Sequence, residues 1–164
     1  MAKRTTCWLM KSEPETYSID DLARDGRTSW EGVRNYQARN FMREMKVGDH
    51  VLFYHSSAEP PGVAGLARIS REAHPDTAAL DQRSSYFDPK ATPDNPIWWM
   101  VEIEFVERFP NIVALGDLKA NAALDGMLVL QRGQRLSVQP VQPAHFRVVC
   151  AMAKKKPPRA QVKK

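Results

Sequence analysis

The chain has 164 residues, of which 43% are hydrophobic and 26% charged, so a single folded domain is expected and wholesale disorder is excluded. The net charge of +5 is unevenly placed, because residues 150–164 carry six basic side chains and no acidic one. The rest of the chain holds 18 basic against 19 acidic residues, which excludes a uniformly basic domain that coats nucleic acid. Any nucleic-acid contact must therefore come from a local patch or from the C-terminal tail.

The first elements predicted along the chain are a buried strand and two helices. Residues 6–11 are apolar on both alternations, which is typical of a central strand. Ser18 is expected to cap a short helix over 19–24. Asn35 is expected to cap a second helix, in which apolar residues recur at helical spacing from position 38 to position 45.

Short strands dominate the rest of the sequence. They are predicted over 50–55, 63–71, 98–107, 112–115 and 135–141, with a last helix over 145–152. Residues 73–96 are rich in proline and lack periodicity, which is typical of a lid, a binding loop or disorder. About six strands and four short helices, without regular β-α-β alternation, predict a small mixed α+β barrel.

The sequence also predicts the cellular location of the protein and the state of its two cysteines. No apolar run approaches the ~20 residues needed to span a bilayer, so we expect no membrane contact and a cytoplasmic location. Cys7 and Cys150 are the two cysteines, and buried, inert thiols are expected for both.

The sequence lacks the strong catalytic signatures. It contains no glycine-rich phosphate loop, no HExxH, no CxxC and no GxSxG. His50 and His55 are five residues apart on one predicted strand, so their side chains point to opposite faces and do not share a metal. No cofactor, no metal and no catalytic residue are therefore expected.

The placement of aromatic residues favours a binding site for a planar ligand. Trp30, Tyr36, Tyr54 and Trp98 each lie beside polar groups at predicted strand ends or turns. Flat side chains next to hydrogen-bonding groups suit a nucleobase, which stacks on a ring while its edge is read by polar atoms. The alternative is that these residues are ordinary core aromatics with one polar tip satisfied.

A basic cluster accompanies the second helix. The cluster comprises Arg34, Arg39, Arg43 and Lys46, with a single acid, Glu44, nearby, and Arg39 and Arg43 share one helix face. Two interpretations remain open: a solvated helix face, or a patch that binds backbone phosphates beside a pocket.

Five stretches of the sequence resemble the EVE domain family: WLMKSEP at 8–14, WEGVRNYQARNFMR at 30–43, GD at 48–49 with FYHS at 53–56, YFDPK at 86–90 and RLSVQPV at 135–141. The resemblance implies a PUA-like mixed β pseudo-barrel with short helices packed at its openings, related to ASCH and YTH domains. It also implies a reader of modified bases, with modified cytosine in DNA as the expected ligand. We accordingly expect an EVE domain over 1–152 and a basic, mobile tail over 153–164.

The resemblance also implies the residues of the site. Trp30 is expected as the stacking wall, Ser12 and Asn35 as readers of the base edge, and Val33 as the contact for a methyl group. Phe87 departs from the family pattern, which usually has tyrosine there. The expected base pocket comprises Lys11, Ser12, Glu13, Trp30, Val33, Asn35, Tyr36, Tyr54, His55, Ser56 and Trp98, with Asp88 in the long loop and phosphate contacts from Arg34, Arg39, Arg43 and Lys90.

The sequence therefore predicts a noncatalytic, nucleic-acid-associated reader of a modified base, with DNA expected over RNA. Three alternatives stay open. The same pocket could bind a small planar or anionic metabolite, His55 and Asp88 could form a hydrolase site, or the domain could serve protein interaction through an exposed apolar patch.

Overall fold

The structure is a computed structural model that describes residues 7–154. Most of the predicted basic tail, from residue 155 onward, lies outside the described residues. The strands are β1 (Cys7–Ser12), β2 (Arg27–Ser29), β3 (His50–His55), β4 (Gly62–Pro75), β5 (Trp99–Ala114) and β6 (Val138–Val141). The helices are α1 (Ile19–Asp25), α2 (Tyr36–Glu44), α3 (Leu115–Ala120) and α4 (Pro143–Lys154), with short 3-10 helices at Thr77–Leu80, Ala122–Leu124 and Leu128–Leu130.

All six strands form one mixed sheet in the order β2-β5-β4-β3-β1-β6. β1 runs parallel to β3, and every other neighbouring pair is antiparallel. The predicted α+β class and the count of six strands are confirmed. Within the described residues the sheet does not close into a barrel, because β2 and β6 form its two edges. β2 has only three residues, and β6 contains Pro140, which has no N–H for a further strand.

The structure differs from the predicted elements in several places. The short strand expected over 112–115 is the end of β5, which continues through Pro110 to Ala114 as a single strand. The strand β2 was not predicted, because three residues are too few to show an alternating pattern. The long connection begins later than expected, since β4 extends to Pro75 and pairs there with Trp99.

Both faces of the sheet are covered, and each face has its own core. The α2 core contains Trp8, Met10 and Phe53 from the strands and packs against α1 and α2 through residues such as Leu22 and Met42. The α4 core lies on the other face, where Leu9, Leu52 and Tyr54 pack with Val149 of α4. Because residues 7–10 of β1 are buried on both faces of the sheet, their side chains are apolar whichever face they point to. This explains the apolar pattern that the sequence shows over residues 6–11.

The helix starts follow the predicted caps. The Ser18 side chain accepts a hydrogen bond from the Asp21 N–H, and the Asp21 carboxylate accepts one from the Ser18 N–H, which forms a capping box at the start of α1. The Asn35 side chain accepts a hydrogen bond from the Ala38 N–H at 2.9 Å and caps α2. The Asn35 cap fixes the end of the segment that connects β2 to α2.

The two cysteines are free thiols. Cys7 is buried and Cys150 is half-buried. Burial, with smaller contributions from Asp49 and Cys150, raises the pKa of Cys7 to about 11, and burial also raises the pKa of Cys150. Both sulfurs are therefore protonated and weakly nucleophilic at neutral pH, which agrees with the expected inert role. None of the helices in residues 7–154 is long and apolar enough to cross a membrane.

Candidate functional site

A cavity of about 440 Å³ opens beside the α2 core, between the C-terminal end of β1 and the edge strand β2. Its walls come from the end of β1, the turn before α1, β2, the segment between β2 and α2, the long connection, and the residue before β6. The lining residues are Lys11, Ser12, Thr16, Tyr17, Thr28, Ser29, Trp30, Glu31, Gly32, Val33, Arg34, Tyr86 and Ser137. Eight of the thirteen have hydroxyl or charged side chains other than tyrosine, so the walls combine aromatic rings with hydrogen-bonding groups.

Trp30 forms one aromatic wall of this cavity. Its N–H donates to the Val101 carbonyl at 2.7 Å, which continues the pairing of β2 with β5 for one more residue. Its ring packs edge-on against Phe53, with 5.8 Å between the ring centroids at 87°. The indole is half-buried, so the α2 core holds one part of the ring while another part lines the cavity.

Tyr86 and Gly32 form a second aromatic element. Gly32 has a positive φ of +84°, and a Cβ atom at this position would lie 2.5 Å from Cζ of Tyr86. The tyrosine ring therefore occupies space that any other residue would fill with its side chain, and the backbone conformation also favours glycine. Gly32, in the WEG stretch, is therefore needed for two reasons: the positive φ of the turn and the close approach of the Tyr86 ring.

A buried carboxylate organises the segment between β2 and α2. Asp76, directly after β4, has no exposed surface. Its carboxylate accepts hydrogen bonds from the Gly32 N–H at 2.8 Å, the Arg34 Nη1 at 3.1 Å and the Ala78 N–H at 3.0 Å. One side chain thereby fixes both the turn that carries Trp30 and the start of the long connection.

Arg34 ties these two segments together from the cavity side. Besides its ion pair with Asp76, its Nη2 and Nε donate to the Tyr86 carbonyl at 2.7 and 3.2 Å. The guanidinium lies 5.4 Å from the Tyr86 ring centroid and 5.3 Å from that of Trp98. Arg34 was expected to bind phosphate, but its contacts with Asp76 and Tyr86 hold the cavity wall in place.

The end of β1 supplies the polar floor of the cavity. Ser12 Oγ donates to the Tyr17 carbonyl at 2.6 Å, and Lys11 Nζ donates to the Gln134 carbonyl at 3.4 Å. Burial lowers the pKa of Lys11. Burial, together with the hydrogen bond that its hydroxyl donates to Asp25 at 2.8 Å, raises the pKa of Tyr17. The end of β1 thus presents the hydroxyl group of Ser12 and the ammonium group of Lys11 to a ligand.

The structure brings Lys11, Ser12, Trp30 and Val33 together at the cavity, with Arg34 at its side. Other residues expected in the pocket lie elsewhere. Asn35 uses its side-chain oxygen to cap α2, and Tyr54 is only 3% exposed within the α4 core. Residues expected in the pocket that do not line this cavity are Glu13, Asn35, Tyr36, Tyr54, His55, Ser56 and Trp98.

His55 and Asp88, the proposed hydrolase pair, are engaged separately. The Nε2 of His55 accepts a hydrogen bond from the Ile19 N–H at 3.1 Å, and burial lowers the pKa of the ring. Asp88 accepts from the Trp98 Nε1 at 2.7 Å, and this bond contributes most to lowering its pKa. His55 lines a different pocket beside Pro14, which is more open to solvent. Across residues 7–154, no three His, Cys, Asp or Glu side chains are grouped as ligands for a metal ion.

Tyr36, Trp98 and the arginines of α2 form a surface next to the cavity. The Tyr36 and Trp98 rings are stacked, with 4.9 Å between centroids and 26° between planes. Arg39 lies 4.9 Å from the Tyr36 ring, and Arg43 lies 4.6 Å from the Trp99 ring. Trp98, which was expected in the base pocket, precedes β5 and is 5% exposed, packed with residues of the long connection.

Several cavity residues were missed from the sequence. Tyr86 and Ser137 lie inside stretches that carry the family resemblance, so that resemblance was the available signal. Asp76 gave no signal, because an isolated aspartate in an irregular proline-rich segment looks like an ordinary turn residue. The remaining missed lining residues are Thr16, Tyr17, Thr28, Ser29, Glu31 and Gly32.

Comparison with known proteins places this geometry in a family. The model of the EVE domain matches residues 6–152, and the fold is that of the PUA-like EVE structures. The chain belongs to the EVE domain family. It is 42% identical to human thymocyte nuclear protein 1 over 168 residues, which covers 92% of this chain and 75% of that protein.

Solved structures agree with the assignment. A Pseudomonas putida protein of 52% identity superposes with a TM-score of 0.87, covering 90% of this chain and 99% of that one. Human thymocyte nuclear protein 1 in complex with DNA that contains 5-methylcytosine superposes with a TM-score of 0.87 at 40% identity, covering 93% of this chain and all of that one. A YTH domain from Zygosaccharomyces rouxii, at 10% identity and a TM-score of 0.55, shares the fold over 98% of this chain and 94% of its own.

Proposed function

We propose that this protein is a noncatalytic reader that holds one modified nucleobase of a nucleic acid in the cavity beside Trp30. Modified cytosine in DNA is the ligand that the proposal favours. The observation that carries it is the cavity of about 440 Å³ between aromatic and hydroxyl-bearing walls. The human relative bound to 5-methylcytosine DNA supports the choice of ligand.

The walls suit the two kinds of contact that a nucleobase makes. The Trp30 and Tyr86 rings offer flat apolar surface, and stacking of a base on an aromatic ring contributes about 1–3 kcal/mol. Hydroxyl groups of Ser12, Ser29 and Ser137 would read the polar edge of the base. A methyl group packed against Val33 would add about 0.8 kcal/mol, a modest discrimination that suits a reader.

The basic residues would supply the attraction to the backbone. Arg39, Arg43 and Lys90 lie outside the cavity, where phosphates flanking an inserted base would pass, whereas Arg34 is already paired with Asp76. We expect the domain over 1–152 to carry the specific site. The basic residues of the tail over 153–164 would add attraction that depends on salt but not on sequence.

The hydrogen bonds that His55 and Asp88 make within the fold support a noncatalytic role. Each makes a hydrogen bond that stabilises the fold, His55 with the N-terminus of α1 and Asp88 with Trp98. A general base needs a lone pair directed at the group that it deprotonates, and the Nε2 lone pair of His55 is directed at a backbone N–H.

The test compares oligonucleotides with and without 5-methylcytosine, in DNA and RNA, by titration of tryptophan fluorescence. Trp30→Ala should weaken binding of the modified strand about tenfold or more through lost stacking, while Trp30→Phe should keep most of the affinity. Equal, weak binding of both strands that disappears with salt would contradict the proposal. Binding of a free planar metabolite as tight as that of any strand would instead identify a small-molecule site.

A further inference from the structure

Next to the cavity, two aromatic rings and two guanidinium groups form a continuous structure, here called the Tyr36 stack: Tyr36, Trp98, Arg34 and Arg39. Arg34 is the member of this stack that also lines the cavity. The Tyr36 and Trp98 ring centroids are 4.9 Å apart. Arg39 lies 4.9 Å from the Tyr36 ring and 5.9 Å from the Trp98 ring. Arg34 lies 5.3 Å from the Trp98 ring on the side of the cavity.

The Tyr36 ring is held in place although much of it faces solvent. Tyr36 is 59% exposed, whereas Trp98 beneath it is only 5% exposed and hydrogen-bonded to Asp88. Arg39 is anchored as well, since its guanidinium donates to the Ile97 carbonyl at 2.9 Å and to Asn40 Oδ1 at 2.8 Å. An exposed ring whose orientation is already fixed loses little conformational entropy when a flat partner binds.

The charges around the stack favour an anionic partner. Arg39 and Arg43 lie on the same face of α2, and the guanidinium of Arg43 covers the neighbouring Trp99 ring at 4.6 Å. The carboxylates close to the stack, Asp76 and Asp88, already accept hydrogen bonds from Arg34 and Trp98. Exposed aromatic surface flanked by arginines is the combination by which proteins bind single strands without reading their sequence.

The stack is continuous with the wall of the cavity. Arg34 lines the cavity, lies 5.4 Å from the Tyr86 ring within it and contacts Trp98 of the stack. A strand with one base in the cavity would therefore pass over this surface on its way out. The residues that would meet it are an aromatic ring and arginines.

We infer that Tyr36 stacks on a base next to the one held in the cavity, on the same strand, while Arg39 and Arg43 contact the adjoining phosphates. The inference rests on the proposed function, because it needs a strand that reaches the cavity. It goes further in assigning a second binding position outside the cavity, one that tolerates any base and distinguishes a polymer from a free nucleoside.

The experiment measures the affinity of the full chain for three probes: the nucleoside 5-methyl-2′-deoxycytidine, and a single-stranded DNA of about nine nucleotides with either 5-methylcytosine or cytosine at its centre. Tyr36→Ala should weaken binding of both oligonucleotides by the same factor, about fivefold or more, and leave nucleoside binding unchanged. Tyr36→Phe keeps the ring and should bind as the unchanged protein does. Val47→Ala removes a similarly exposed apolar side chain after α2 and serves as the matched control.

A second variant tests the phosphate contact independently. Arg39→Gln should reduce the slope of log affinity against log salt by about 0.7 for single-stranded DNA, as expected when one phosphate contact is lost. Unchanged oligonucleotide affinity in Tyr36→Ala, or a parallel loss of nucleoside affinity, would overturn the inference. The preference for 5-methylcytosine in the unchanged protein separately tests the proposed function, so a failure of the inference is distinguished from a failure of the proposed function.

Discussion

The two faces of the sheet are stabilised in different ways. The α4 core is closed by apolar side chains such as Leu9, Leu52 and Val149, which are fully buried. On the other face, the α2 core reaches the cavity at Trp30 and Val33, and there the chain is held by hydrogen bonds that converge on Asp76. The cavity wall is therefore stabilised by hydrogen bonds on the side away from the cavity. Close apolar packing on the cavity side would fill the space that a ligand needs.

The largest expected effect comes from removing the buried carboxylate. Asp76→Ala deprives two backbone N–H groups and Arg34 of their acceptor, and such losses in buried positions add up to about 3 kcal/mol of unfolding free energy. Urea unfolding measures the change. Asp81→Ala, an exposed carboxylate at the end of the same 3-10 helix, should cost less than about 0.5 kcal/mol. Similar values for the two variants would show that the cavity side does not depend on Asp76.

A smaller effect is expected where the backbone meets the aromatic wall. Gly32→Ala introduces a Cβ at positive φ and against the Tyr86 ring, so we expect a loss of about 2 kcal/mol together with weaker ligand binding. Gly126→Ala is the matched control, because Gly126 also has a positive φ, of +98°, but has no atom within 4 Å of the added Cβ. It should cost about 1 kcal/mol, and equal losses would remove the steric role assigned to Tyr86.

The smallest expected effect is a dependence of stability on pH at the boundary of the α2 core. Burial lowers the pKa of His55 against an opposing attraction from Asp20, so the folded chain binds its proton less readily than an unfolded chain with the ordinary value of 6.5. The stabilising contribution of the neutral ring, which accepts from Ile19, is therefore complete above pH 6.5 and lost as the pH falls through the lowered pKa. Urea midpoints should fall between pH 7.5 and pH 5, and His55→Gln should reduce that fall. An identical pH dependence in both proteins would contradict the assignment.

Much of the fold could be predicted from the sequence because its signals are local. Ser18 and Asn35 act as caps through their own side chains and nearby N–H groups, and β3 runs over the residues in which its pattern appears. β2 could not be predicted, since its three residues are held by pairing with Glu102, Ile103 and Glu104 of a strand that lies far along the chain. The open sheet was missed for the same reason, because strand order depends on contacts between distant residues.

The site was only partly predictable. Trp30 and Ser12 combine a recognisable stretch of sequence with a position at the cavity. Tyr36 and Trp98 share the aromatic character of a pocket wall, but their stacking on each other is a tertiary contact that spacing does not reveal. Asp76 is the clearest omission, since its importance depends on being fully buried beside Gly32 and Arg34.

The position of β1 in the sheet has a consequence for synthesis of the chain. β1 lies between β3 and β6, and Lys11 N–H donates to the carbonyl of Ser137, close to the opposite end of the domain. Sequence separations of this size slow folding, because a long loop closes before the contact forms. During synthesis, Lys11 and Ser12 leave the ribosome long before Ser137, so the cavity stays incomplete until Ser137 has been synthesised. A nascent or truncated chain without β6 would therefore carry Trp30 and Tyr86 but lack the finished binding site.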